Sequence, residues 1–246
     1  MAKFFLTAGR IINDVAIDQG LDEDADPVGS SDRQMKQLRR QLEIACEEIA
    51  SVYEWENLKR EKTFTTDSAS SPTGEYDLPT DFHYMIDQTH WDRSNDVPVG
   101  GPLTSQDWQY LIGRDLVSQT IYASFRQQEG KLQMWPQPPA DGLNIAYEYA
   151  STNWIQKQSD NNYSTVLEGS GDTILLPPTL MRAYLTSKWK SSKGFETIDA
   201  STAVALFLNT SGAQDSGAPV LTMGGHRNRY PYLEAGRNLP DTGYGS

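Results

Sequence analysis

The chain has 246 residues, with 33 acidic against 21 basic side chains and a net charge of −12 at pH 7. That length suffices for one large domain or two small ones and buries a real core without covalent staples. The acidic balance argues against an autonomous DNA-binding or anionic-membrane protein, because both need a basic footprint. A single cysteine excludes an internal disulfide framework and a Cys-rich zinc site, and fits a reducing compartment. Counted with Gly in place of Tyr, the apolar share is about 40%, short of the usual 45–50% or so. The deficit points to an extended shape, a long polar tail, or surface buried only in an assembly. The apolar run within Met1–Arg10 is too short for a signal-peptide core, and no run approaches ~18 consecutive apolar residues. The chain reads as cytosolic and soluble, with no membrane partner.

Phe4, Ala8, Ile11 and Val15 recur at four, three and four, which predicts a first helix stopping near Gly20. Asp22 to Pro27 follows as an acidic connector, read as a solvated loop in preference to an acidic partner surface. Ser31 with Gln34 has the form of a capping box opening the longest helix. Its stripe is Met35, Leu38, Leu42, Ala45, Ile49 and Val52, and such a stripe packs on other helices or another chain. Unbroken to Lys62, this helix would reach roughly 45 Å.

From Thr63 the period becomes two. Residues 62–66 and 74–78 flank a Ser/Pro/Gly loop as a hairpin would, and Pro79 ends the second strand. Thr104 and Asp107 predict the cap of a short helix through Trp108 and Leu111, closed by Gly113. Residues 121–126, 131–135 and the alternating Leu143, Ile145, Tyr147 and Tyr149 are joined at Gly130 and Asp141-Gly142. They predict an antiparallel meander with one wet face. Pro177 and Pro178 then open a helix with the stripe Met181, Tyr184, Leu185 and Trp189, and Gly194 stands where a C′ residue would. A last helix is expected from about Thr197 to Asn209.

The fold class expected is α+β. Helices at 1–62 and 172–210 form one helical bundle, 63–171 is an inserted antiparallel β domain, and 211–246 is an extended C-terminal arm. The arm is rich in Gly and Pro yet carries Val220, Leu221, Met223, Tyr230, Tyr232 and Leu233, so ordering on a neighbouring subunit is preferred to a disordered tail.

Catalytic signals are weak. Cys46 lies on the buried side of the long helix with no histidine near it in sequence, as a core residue would. His83 and His90 sit among Asp81, Asp87 and Asp92, but a seven-residue separation fits no zinc spacing. Gly169-Ser170-Gly171 lacks the third glycine of a dinucleotide loop, and no phosphate cradle or hydrolase motif occurs. No catalytic, cofactor-binding or metal residue is therefore assigned, and no enzymatic activity is expected. His226, Arg227, Arg229, Tyr230 and Tyr232 form one basic, aromatic cluster in an acidic chain. It suits nucleic acid or an acidic protein groove, and two arginines are too few to favour the first.

Several segments together resemble the head-to-tail adaptor of short-tailed bacteriophages, a relative of tail tubular A and head-completion proteins. They begin with Trp55 through Glu61 and the strand Thr63-Phe64-Thr65, then Tyr76-Asp77-Leu78-Pro79-Thr80-Asp81-Phe82, Trp91-Asp92-Arg93 and Gly101 through Trp108. Gly130-Lys131-Leu132, Pro136 through Pro139, Gly142 and Tyr147 through Ser151 continue in the same order. Asp172 through Pro177 and Trp189 through Phe195, with Gly194, complete the set, which covers residues 31–210. One departure is Glu168-Gly169-Ser170-Gly171-Asp172, where the family often has an aromatic before an acidic pair.

The resemblance implies a structural subunit of a ring, usually twelve-fold, seated in the virion neck between the portal protein and the tail nozzle protein. DNA would then be passing cargo in its channel, and the arm would dock on the portal. Before reaching the virion the protein would be in the host cytoplasm. The alternative is a carbohydrate-binding or glycan-degrading tail component.

Overall fold

The computed structural model describes residues 5–113 and 124–215, and the segment 121–123 and the arm from 216 onward lie outside them. Helix α1 (Ala8–Asp18) starts where Thr7 accepts the Arg10 N–H and buries Ile11, Ile12 and Val15. Helix α2 (Arg33–Val52) is capped by Asp32, not Ser31: one carboxylate oxygen accepts the N–H groups of Gln34 and Met35 at 2.8 and 3.1 Å. A carboxylate also meets the positive end of the helix dipole, which a hydroxyl does not.

The long helix does not run to Lys62. It stops after 20 residues, roughly 30 Å, and the Trp55 indole N–H turns back onto the Ile49 carbonyl at 2.9 Å. That contact satisfies an acceptor the last turn leaves open. A short 3-10 turn (Glu56–Leu58) then leads directly into a strand.

The β region holds β1 (Lys59–Thr65), β2 (Glu75–Asp77), β3 (Phe82–Met85), β4 (Trp91–Asp92) and β5 (Val97–Pro98). After α3 (Ser105–Gly113) come β6 (Ser124–Gln128), β7 (Lys131–Trp135) and β8 (Asn144–Ser151). The expected hairpin between 62–66 and 74–78 does not form. β1 pairs β8, with Lys59 opposite Ala150 and Thr65 opposite Asn144, while β2 pairs β7. The meander also divides: β6 and β7 form the expected hairpin, but β8 belongs to another sheet, ordered β1-β8-β4-β5 with β3 beside β8.

β8 is the reason. Ile145, Tyr147 and Tyr149 are buried on one face and Ala146 and Ala150 on the other, so it is central and takes partners on both edges. The aromatic side of this sheet meets Phe125, Leu132 and Met134 of the β2-β7-β6 sheet in one core. A smaller cluster of Trp108, Leu111 and Trp135 holds α3.

A third, small sheet, β9 (Ile155–Gln156), β10 (Tyr163–Ser164) and β11 (Thr173–Ile174), precedes α4 (Pro178–Lys193) and α5 (Ile198–Asp215). Trp154, Ile155, Leu167 and Ile174 enter the core of α1, α2 and α4, although the first three lie within the span 63–171 expected for the insertion. α4 begins at Pro178 and ends at Gly194, whose φ of 75° is the left-handed conformation of a C′ residue. α5 lies along α4 and continues to Asp215, past the expected end near Asn209 and into the span expected for the arm.

The α1 end is tied to the turn before β11. Gly9 N–H donates to the Ser170 carbonyl at 2.9 Å and Ala8 N–H to the Asp172 carbonyl at 2.8 Å. A Cβ on Gly9 would lie 2.9 Å from that Ser170 oxygen. Gly9→Ala is therefore expected to cost about 1–2 kcal/mol, because the clash outweighs the ~0.5–1 kcal/mol gained by alanine in a helix. A urea titration of the variant measures it.

Candidate assembly interface

The residues that carry the resemblance do not converge on one cleft. Most of them frame the two cores. Trp55 is buried edge-on against Tyr53, between α2 and β1. Leu78 packs on the β core, and the Pro79 carbonyl accepts the Phe82 N–H, turning the chain into β3. Phe82 stacks on Tyr149 with ring centroids 5.8 Å apart.

Asp81 clasps the end of β8. Its carboxylate accepts the Tyr149 and Ser151 hydroxyls at 3.0 and 2.6 Å, and its carbonyl accepts the Thr152 N–H at 2.8 Å. Burial, then the bonded Asp81 carboxylate, pushes the Tyr149 phenol up to about 12. Trp108 is fully buried beneath the Arg126 guanidinium and edge-on to Trp135. Trp189 is buried in the helical core with the Lys193 ammonium over its ring. Trp91 differs: it is 37% exposed on the outer face of β4. His226, Arg227, Arg229, Tyr230 and Tyr232 lie outside the described residues.

Neither histidine of the β region faces the other. His83 is exposed beside Tyr84, whereas His90 is buried between Phe125 and Tyr147, stacked at 3.9 and 5.1 Å. Its Nε2 has no hydrogen-bond partner among the described residues, and burial lowers its pKa to about 4. A folded pKa below the ordinary 6.5 or so means that this contribution to stability is full above pH ~6.5 and is lost as pH falls toward 4. The total is at most about 3 kcal/mol. His90→Phe keeps the stack and is expected to flatten stability between pH 6.5 and 4, as read by urea midpoints across that range. Cys46 is buried in the helical core, which raises its thiol pKa well above the ordinary value.

The turn that departs from the family pattern holds the helical part together. Asp172 is buried and accepts the N–H groups of Gln158, Glu168 and Gly169 at 2.9–3.0 Å. Ser170 donates to Asp26 and accepts the Val28 N–H, while Arg39 bonds the carbonyls of Val28 and Leu167. The acidic connector is thereby pinned at its Pro27 end. Nothing in the local sequence announces the ties from this turn to the connector and to α2, since Ser170 lies about 140 residues from Asp26 and Val28, and Leu167 lies 128 from Arg39.

Large apolar side chains are exposed on both parts of the protein, with Trp91, Tyr110 and Ile112 in the β region. Ile17, Val52, Phe195, Ile198 and Leu206 are exposed on different helices and turns. An open groove of about 430 Å³ between α4 and α5 is lined by Ala183, Ala203 and Phe207 together with Arg182, Lys190 and Asp199. No helix among the described residues is long and apolar enough to cross a membrane. No group of three or more His, Cys, Asp or Glu side chains among them is placed to hold a metal ion.

The profile of the SU10 adaptor protein family matches residues 6–219, which takes in both cores and the five α-helices of the described residues. No curated protein matches the chain. With the match spanning most of its length, the chain belongs to the SU10 adaptor protein family, a family of phage head-to-tail adaptors and structural proteins of the virion.

Proposed function

We propose that this adaptor is the repeating subunit of a ring, twelve-fold by the resemblance, that joins the portal protein to the tail nozzle protein and extends the DNA channel in the virion neck. The observation that carries this reading is the family match across residues 6–219. Its physical support is the scatter of large exposed apolar groups over separate parts of the surface. A closed ring is built from head-to-tail contacts, which use two different patches of each subunit.

In this reading the helical part faces the portal and the β part faces the tail. The arm residues His226, Arg227, Arg229, Tyr230 and Tyr232 clasp the portal. Surplus acidic side chains, from a net charge of −12, line the lumen and leave DNA sliding as cargo. A basic wall would hold it instead, because each neutralised phosphate adds counterion-release affinity.

Electron microscopy of the protein with its portal, for the full chain and for a chain truncated after Ala218, tests the reading. The full chain is expected to stack on the portal as a ring, and the truncated chain to stay folded but fail to dock. A full chain that never forms a ring refutes the adaptor assignment; a truncated chain that docks normally refutes the role of the arm.

A further inference from the structure

The outward face of α5 has an unusual make-up for a surface helix. Phe195, Ile198 and Leu206 are 62, 65 and 62% exposed. Ile198, Thr202, Ala205 and Asn209 recur at four, three and four along the same side, the spacing of a seam between helices. The opposite side, with Ala200, Val204, Phe207 and Leu208, already packs toward α4 and the core. The outward side thus pairs two large exposed apolar groups of α5, Ile198 and Leu206, with small or uncharged polar ones, a make-up suited to contact with another surface.

Two further features bear on what covers it. The exposed hydroxyls are satisfied within the helix: Ser201 and Thr202 donate to the Ile198 carbonyl and Thr210 to the Leu206 carbonyl, at 2.8–2.9 Å. Covering them therefore strands no donor. From Ala200 to Gln214 the helix carries no charged side chain at all, in a chain of net charge −12. Two copies of so acidic a protein repel one another, and a contact between them is least opposed where no charge is buried. A polyanion would find no cation along this tract. Phe195 stands in the turn before α5, where its N–H donates to the Lys190 carbonyl at 2.9 Å.

We propose that this face, formed by Phe195, Ile198, Thr202, Ala205, Leu206 and Asn209, is where a second copy of the chain packs in the ring. The proposal rests on the ring reading and names one of the two patches that reading needs.

The test is native mass spectrometry of the full chain and of the double variant Ile198→Asp/Leu206→Asp, alone and with portal, with circular dichroism melting as the check on folding. Both side chains are exposed, so the variant monomer is expected to melt nearly as the wild type does. Its assembly is expected to require at least about 100-fold more protein, since two carboxylates would be desolvated per contact. A second measurement stands independently of the variant: amide exchange over 198–210 in the wild type is expected to slow on going from dilute monomer to ring. Normal rings from the variant, or exchange over 198–210 unchanged by assembly, overturn the face alone. A wild type that stays monomeric with and without portal overturns the ring reading and the face with it. Protection of 198–210 in the monomer that disappears on truncation after Asp215 assigns the face to the chain's own tail, and also overturns the proposal.

Discussion

Asp172→Ala is expected to lower the unfolding free energy by about 3–5 kcal/mol, since a hydrogen bond to a charged acceptor contributes about 1.5–3 kcal/mol and solvent reaching this turn recovers part of the sum of three. The carboxylate accepts three backbone N–H groups, from Gln158, Glu168 and Gly169, and all three lose their acceptor at once. The donors are only part-buried, so water entering the turn replaces some of what the carboxylate supplied. Burial alone would raise the Asp172 pKa, but the three N–H bonds and nearby Lys157 together outweigh it and hold the pKa below the ordinary value.

The sign of the pH dependence follows. The contribution is present above the unfolded carboxylate pKa, near 4, and is lost as pH falls through the lower folded value. Asp172→Asn should therefore be destabilised at pH 7 and less steeply dependent on acid below pH 4. Urea denaturation at pH 7 and across pH 4 to 2 measures both. An alanine variant within 1 kcal/mol or so of wild type would show that the turn is held by other contacts.

Trp55→Ala is expected to cost a similar amount, about 3–5 kcal/mol, through the cavity left by a buried indole. The ring stands between the end of α2 and the start of β1, touching Tyr53 and bonding the Ile49 carbonyl. Its loss removes core volume and reopens the last turn of α2 together. Trp55→Phe separates the two effects: much of the volume returns but the N–H does not, so a residual loss of about 1 kcal/mol is expected from the Ile49 carbonyl. Denaturant midpoints of the two variants give the comparison. If Trp55→Ala also lengthened the helix toward Lys62, its far-ultraviolet dichroism would gain helical signal, and the indole would be shown to set the helix end.

Much of the helical architecture was legible in the sequence. The stripe from Met35 to Ile49 is buried as expected, although Val52, its expected last member, is 62% exposed, and Pro178 and Gly194 open and close α4 as their chemistry requires. These are local properties, set by the 3.6-residue period and by backbone preferences at single positions. The α2 cap was misassigned by one residue, since Ser31 and Asp32 are both capping types and only the backbone path decides between them. Of the positions carried by the resemblance, Trp55, Asp81, Trp108 and Trp189 prove to be core and clasp residues. An aromatic residue gives no sign in sequence of whether it will face a core or a partner, and Trp91 alone among the marked tryptophans is exposed.

By itself the sequence determined the α+β class, the kind and order of most elements, the buried helix stripes and the resemblance to phage adaptors. The tertiary structure decided which strands pair, where the long helix ends and which side of α5 is left uncovered. Strand pairing uses backbone groups that are the same in every residue, so β1 finds β8 across about 80 positions because β8 must bury both of its faces. The same holds for Ser170, whose partners Asp26 and Val28 lie about 140 positions away, and for the α5 face. A bond between distant segments, or an apolar side with nothing against it, exists only once the chain has been brought together.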